Sequence, residues 1–279
     1  MKLKKNLLAA LGFVSLLLLG GCDYALFAPE GYIGQQIRNY IFINVGLMLL
    51  VVIPTLIMIV WMALKYRKGK NAEYDPEWEH STKIEMWAWG VPIIIIAVLA
   101  TITFFTSHSL DPRKPLKSDK ETLTIQVVAM DWKWLFLYPE QGIATINEIA
   151  VPIDTPVEFL ITSNSTVNSF YIPRLGGQLY AMAGMENRLH LMANQAGVYR
   201  GISSNYSGFG FSGMRFNVHS LPDAKFNDWV AKAKASPKAL DAPTLAKLEE
   251  RSRDNPVEYY GKIDPLQFKK IIEKFRGVQ

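Results

Sequence analysis

The stretch "ETLTIQVVAMDWKWLFLY", residues 121–138, decides the fold. Leu123, Ile125 and Val127 alternate with Thr124 and Gln126, the period of a strand with one face in a core and the other toward polar surroundings. Val157, Phe159 and Ile161 repeat the pattern. Further short candidates follow: "WKWLFLY", "SFYIP", "NRLHLMA", "GVYRGIS" and "GMRFNVH". Gly, Pro, Asn and Ser separate them at intervals of about 8–12 residues, a spacing that favours a β-sandwich or barrel. Residues 118–222 are therefore expected to form one β domain.

Beyond Leu221-Pro222 the composition changes. "DAKFNDWVAKAKA", "APTLAKLEERSR" and "DPLQFKKIIEKF" show helical spacing, with Asp or Pro at their starts. Residues 223–279 read as a small helical extension, packed on the β domain or along a membrane surface.

Toward the N-terminus the chain turns apolar. Runs at 41–64 and 86–105 are each near the roughly 20 residues needed to cross a bilayer core, and the spans are set at 41–64 and 84–106. Pro54 and Pro92 lie inside them, where neighbouring helices can satisfy the freed carbonyls. Tyr40, Trp61, Tyr66, Trp87 and Trp89 mark the ends, as interfacial belts do. Lys65, Arg67, Lys68 and Lys70 follow the first run, against Arg38 alone before it, so loop 65–83 is expected in the cytoplasm. Arg113, Lys114 and Lys117 after the second run pull the other way, but long translocated domains cross largely regardless of charge. Glu85, at the cytoplasmic mouth of the second span, is a functional candidate, because ionisable groups in such segments are costly unless they snorkel.

The beginning, "MKLKKNLLAALGFVSLLLLGGC", has a basic head, an apolar run and small residues before Cys22. Residues 1–21 read as a signal peptide. Leu19-Gly20-Gly21-Cys22 resembles the bacterial lipobox, which implies a lipidated Cys22, a lipid-anchored segment 22–40 and a start outside the cytoplasm. Asp23 resembles the signal that keeps such lipoproteins in the inner membrane.

Composition narrows the function classes. The chain has 279 residues, 49% of them hydrophobic, which is high for a soluble protein. The net charge of +5 comes from Lys and Arg spread along the chain, without the basic and aromatic blocks of nucleic-acid grooves. A single cysteine excludes an internal disulfide framework and any Cys-rich metal site.

Two spans, a lipidated start and an external β domain, together with "KIEMWAWGVPIIII", "VVAMDWKWLFLYPE", "VNSFYIPRLGGQLYAMAGMENRLHL" and "NYSGFGFSGMRF", resemble subunit II of the haem-copper respiratory oxidases. The resemblance covers nearly the whole mature chain. It implies a membrane α + β fold: a two-helix transmembrane hairpin carrying a periplasmic cupredoxin-like β-sandwich, then the helical extension. In the cytochrome c oxidase branch, one strand histidine and a loop of the form C-x-E-x-C-x-x-x-H-x-x-M hold two coppers. Laid on this chain, the cysteines fall at Tyr206 and Gly210, the carbonyl-donating glutamate at Gly208, the second histidine at Met214, the methionine at Asn217 and the strand histidine at Asn168.

A two-copper or blue-copper centre needs at least one thiolate, and the mature domain has none. His80, His108, His190 and His219 have no ligand spacing and read as surface or capping residues. The pattern resembles the quinol-oxidase branch, the bo-type ubiquinol oxidases, in which quinol delivers electrons directly to a haem in subunit I. The resemblance implies no cofactor on this chain, with haems and copper on the partner catalytic subunit. It also implies further small membrane subunits and membrane lipid as partners, ubiquinol reached through the complex, and neither cytochrome c nor nucleic acid. Glu85 matches a carboxylate position that the family associates with a proton-uptake entrance. Trp132 and Trp134 match an aromatic docking motif and read here as packing, as do Met182 and Met185. The loop's glycines are expected to supply turns, and its aromatics to fill the space of metal and ligands. Two other readings compete: a copper-carrying electron-transfer or chaperone protein, which needs clustered ligands the sequence lacks, and a lipid-anchored scaffold unrelated to respiration.

Overall fold

The computed structural model describes residues 24–67 and 77–276. Cys22, the signal-peptide reading of 1–21, part of the 65–83 loop and the last three residues lie outside the described residues.

Two long helices come first, α1 (Tyr32–Lys65) and α2 (Thr82–Ser109), and both are apolar enough to cross a membrane. At 1.5 Å per residue they are about 51 and 42 Å long, more than a hydrocarbon core of about 30 Å requires. The excess in α1 is at its N-terminal end, nine residues ahead of the apolar run, where the helix is keyed into the β domain. Gly34 N donates to Leu175 O at 2.9 Å, Gly31 N to Arg174 O at 3.1 Å, and Arg174 pairs with Glu30 at 2.6 Å. A Cβ on Gly31 would sit 2.7 Å from the Leu175 backbone, so only glycine allows this approach. At the other end Lys65 Nζ lies 4.7 Å from the Trp61 ring centroid.

The β domain has two sheets. One contains β1 (Leu123–Met130), β2 (Lys133–Tyr138), β3 (Ile143–Ile146), β5 (Val157–Ser163), β8 (Asn187–Leu191) and, from the extension, β12 (Glu258–Tyr260), in the order β12-β3-β2-β1-β5-β8. The other runs β4-β10-β9-β6-β7, from β4 (Glu148–Pro152), β6 (Asn168–Tyr171), β7 (Leu179–Ala181), β9 (Gly197–Ser203) and β10 (Arg215–Leu221). The pairs β1–β5 and β4–β10 are parallel. The chain changes sheets between β3 and β4 at Asn147. That residue takes φ 56°, and its side-chain oxygen accepts from Trp134 N at 2.9 Å.

The inward side chains of β1, Ile125 and Val127, meet an aromatic cluster of Trp134, Phe136, Phe159, Phe170 and Phe216. Phe170 and Phe216 stack at 5.2 Å and 7°. The outer face of the same sheet is covered too: Val128, Met130, Leu135 and Leu137 pack against Leu240, Phe268, Ile271 and Ile272 of the extension. All six residues of β2 are buried, which explains the unbroken run from Trp134 to Tyr138 after Lys133.

The extension holds α3 (Asp223–Lys234), α4 (Ala242–Glu249) and α5 (Gln267–Arg276). It also holds three short strands that a purely helical reading of 223–279 does not contain. These are β11 (Ala239–Leu240), β13 (Lys262–Ile263), which pairs with it, and β12, which extends the main sheet beside β3. Strands of two or three residues leave too few side chains for alternation to show. The extension packs on the sandwich.

Candidate functional site

The loop between β9 and β10 is held by polar contacts. Asn168, at the start of β6, is buried; its Nδ2 donates to Thr166 O at 3.1 Å and its Oδ1 accepts from Ser203 Oγ at 3.1 Å. Ser203 N donates to Met214 O at 3.1 Å, and Asn205 Nδ2 to Val167 O at 2.9 Å. Asn168 and Met214, two of the ligand positions implied by the resemblance, thus flank the same serine. Met214 is buried in the aromatic core.

The other ligand positions do not converge. Asn217 faces outward on β10, where Phe216 and Val218 turn inward. Tyr206 is 73% exposed, and its neighbour Phe209, 75% exposed, lies under the Arg253 guanidinium at 4.5 Å. The expectation that the loop's aromatics fill the interior is corrected for Tyr206 and Phe209, while Phe216 does lie in the core. The filling group is Trp132, from the two-residue turn between β1 and β2. Its indole Nε1 donates to Ser207 O at 3.1 Å, and a Cβ at Gly210 would meet its ring at 2.4 Å. Gly208 has φ 108°, open to glycine, and its Cβ position is 3.4 Å from the same ring. Trp132 holds φ 66°, strained for a bulky residue by roughly 1–3 kcal/mol, and the indole's packing and hydrogen bond offset that cost.

These residues do not fit a two-copper group. The bridging thiolate positions are a phenol and a glycine, the imidazole positions an amide and a thioether, and the space at the second thiolate is occupied by indole. Among the described residues no three His, Cys, Asp or Glu side chains come together as a metal site.

Glu85 lies in the first turn of α2, 3.1 Å from His80 Nε2, and both are exposed. The pairing joins a loop residue to a helix residue and was not read from the sequence. His108 Nδ1 caps the Phe104 carbonyl at 2.9 Å. His190 is buried, with Nδ1 3.1 Å from Pro112 O, so of the two roles expected, surface or capping, it has the second. Met182 O accepts from Thr162 Oγ1 at 3.2 Å, and Met185 is exposed. Trp134 is fully buried, as its packing role requires.

A second cluster was not legible in the sequence. Glu148 on β4 is nearly buried and accepts from Trp229 Nε1 of α3 at 3.1 Å and from the Tyr259 hydroxyl of β12, while His219 Nε2 of β10 lies 3.2 Å away. Burial alone would raise the carboxyl's pKa. The contacts from His219, Tyr259 and Trp229 outweigh it and hold the pKa at about 2. Tyr259 is pushed up, first by burial and then by the carboxylate beside it. Nearby, Lys133 is buried and donates to Glu250 O at 2.9 Å and to Ser252 Oγ, with burial lowering its pKa.

Comparison with known proteins places this geometry. The chain is 51% identical over 274 residues to the cytochrome bo(3) ubiquinol oxidase subunit 2 of Pseudomonas putida, covering 98% of this chain and 87% of that one. It belongs to the ubiquinol oxidase subunit 2 family. The ubiquinol oxidase subunit 2 of Acetobacter aceti is 49% identical, with 99% of this chain and 92% of that one covered. The quinol oxidase subunit 2 of Bacillus subtilis is 37% identical, with 82% and 71% covered.

Two family models divide this subunit 2 as its packing does. Residues 139–221 match the periplasmic domain of cytochrome c oxidase subunit II, and residues 234–277 match the COX aromatic-rich motif. Tyr259 and Tyr260 belong to the second match and Glu148 to the first, so the Glu148 cluster joins the two. The crystal structure of the periplasmic domain of Bradyrhizobium japonicum cytochrome oxidase subunit II is 24% identical, covering 43% of this chain and 96% of that one, with a TM-score of 0.40.

Proposed function

We propose that this subunit 2 serves a proton-pumping ubiquinol:oxygen oxidoreductase without carrying a redox centre itself. On this reading it supports a haem-copper subunit I and further small membrane subunits. It is held in the inner membrane by α1, α2 and a lipidated Cys22, with its β domain in the periplasm. The haems and copper belong to the catalytic partner, which takes electrons from ubiquinol directly, so no cytochrome c docks. The residue types at the ligand positions carry the proposal: phenol, glycine, amide and thioether stand there, and the Trp132 indole occupies the space beside Gly210.

Glu85 is proposed to collect protons at the cytoplasmic entrance of a path into the catalytic subunit. Its partner His80 supports this, since the two side chains, 3.1 Å apart, are both exposed at the start of α2. The experiment is to purify the complex, separate its subunits and assign metal and haem to each while following quinol-dependent oxygen uptake. Stoichiometric copper on this chain would overturn the proposal, and a complex without haem or quinol oxidation would favour the scaffold reading.

A further inference from the structure

Where the two helices meet the β domain there is a cavity of about 390 Å³, between the start of α1 and the segment that follows α2. Ile33, Ile37, Leu116 and Leu189 give it an apolar floor, and Lys114 and Lys117 stand on its lining. Neither lysine has a carboxylate partner among the described residues. Asp111, the one carboxylate on that lining, accepts instead from the Arg113 backbone N at 2.9 Å. The cavity therefore carries an excess of positive charge.

Its height matters as much as its charge. Ile37 lies four residues above the start of the apolar run in α1, and Ser109, on the lining, four residues beyond its end in α2, each about 6 Å along the helix axis. The headgroup layer on each side of a bilayer is about 5–8 Å thick. The inner end of the cavity, at Ile37 and Ser109, thus lies at the level of the lipid headgroups, and Ile33 stands about 6 Å further out.

We propose that this cavity binds the headgroup of one anionic phospholipid, its phosphate on Lys114 and Lys117 and its acyl chains leaving past Ile37 into the hydrocarbon. The site welds the helix pair to the β domain through a lipid, and it requires only that α1 and α2 cross a bilayer. It does not depend on how electrons enter the complex.

The test uses the intact complex, delipidated in detergent and titrated with phosphatidylglycerol bearing a photoreactive headgroup, followed by peptide mapping. Labelling is expected within residues 109–117 of this chain. The double variant Lys114→Gln/Lys117→Gln is expected to bind about 30-fold more weakly, roughly 1 kcal/mol for each lysine. Gly177 lines the cavity, and an added Cβ there meets nothing within 4 Å. Gly177→Phe therefore fills the space while keeping both charges, and it too should suppress labelling. Unchanged labelling in both variants overturns the proposal. Equal competition by phosphatidylethanolamine overturns the requirement for negative charge, and equal competition by inorganic phosphate overturns the lipid. Label on another subunit in place of residues 109–117 would show that protein covers the cavity, which also overturns it.

Discussion

Replacing Gly210 with alanine tests whether Trp132 holds the emptied loop. The new Cβ would lie 2.4 Å from Cγ and Cδ2 of Trp132 and 2.6 Å from Cε3, where carbon contacts are comfortable at about 3.5–4.0 Å. The indole must retreat by roughly 1 Å or more, and its 3.1 Å hydrogen bond to Ser207 O breaks. Overpacking costs about 1–3 kcal/mol and the lost hydrogen bond about 1, so the variant should lose roughly 2–4 kcal/mol. For a domain of this size that lowers Tm by about 5–15 °C, read by tryptophan emission during thermal unfolding of the solubilised chain. Gly177→Ala, in open space, is the control and should stay within about 0.5 kcal/mol of wild type. Trp132→Gly removes both the obstacle and the strained φ, so Gly210→Ala should cost almost nothing on that background. Additive losses, or a single variant as stable as the control, would refute the placement of the indole.

Three further outcomes are expected. Installing Asn168→His, Tyr206→Cys, Gly210→Cys, Met214→His and Asn217→Met together with Trp132→Gly, which clears the space a Cβ at 210 needs, should confer some copper binding, and the set that keeps Trp132 should bind less; metal analysis finding no copper in either set would contradict the ligand assignment. Glu85→Gln should slow oxygen uptake partially while leaving haem content and subunit stoichiometry intact, whereas unchanged turnover would remove Glu85 from the proton path. Glu148 has a folded pKa of about 2 against an ordinary value of 4.5, so its stabilisation is present above about pH 4.5 and lost as pH falls toward 2. Glu148→Gln should forfeit up to roughly 3 kcal/mol at pH 7 and flatten the acid response in that window, read by protease sensitivity of the extension at each pH; a variant with the wild-type acid profile would exclude the carboxylate as the clamp.

The strands that sequence revealed were those with one face in the core. Leu123, Ile125 and Val127 alternate because Thr124 and Gln126 keep partial contact with water. In β2 alternation vanishes, since the extension covers the outer face, and composition rather than period marked the strand. β3 and β4 are not among the strand candidates: Thr145, Asn147 and Glu148 break up the apolar residues of 143–152, and the sheet change at Asn147 is marked only by the positive φ and the bond to Trp134 N. The early start of α1 depends on Gly31 and Gly34 approaching a distant backbone, which no local pattern encodes. At the candidate site, residue types at the ligand positions were legible through the family resemblance, but their directions were not. Asn217 is turned outward by strand parity and Tyr206 by its exposed loop. The Glu148 cluster draws on β4, β10, α3 and β12, so its members share no sequence neighbourhood.

In a cupredoxin-like shell a metal would tie β6, the loop and β10 together through its ligands. Here three neutral devices hold the loop region: the Asn168–Ser203 side-chain bond joins β6 to β9, the Ser203–Met214 backbone bond joins β9 to the end of the loop, and the Trp132 indole on Ser207 joins the β1–β2 turn to the loop. Hydrogen bonds of this kind contribute about 1 kcal/mol each and the buried indole face a similar amount again, enough to order a short loop between two strands. The charged tie has moved to the far side of β10, where Glu148 binds the sandwich to the extension. Order in the loop and redox chemistry in the loop are therefore separable properties of this shell. A protein that keeps the first through Trp132 and Asn168 can present a fixed surface to a partner whatever stands at the ligand positions.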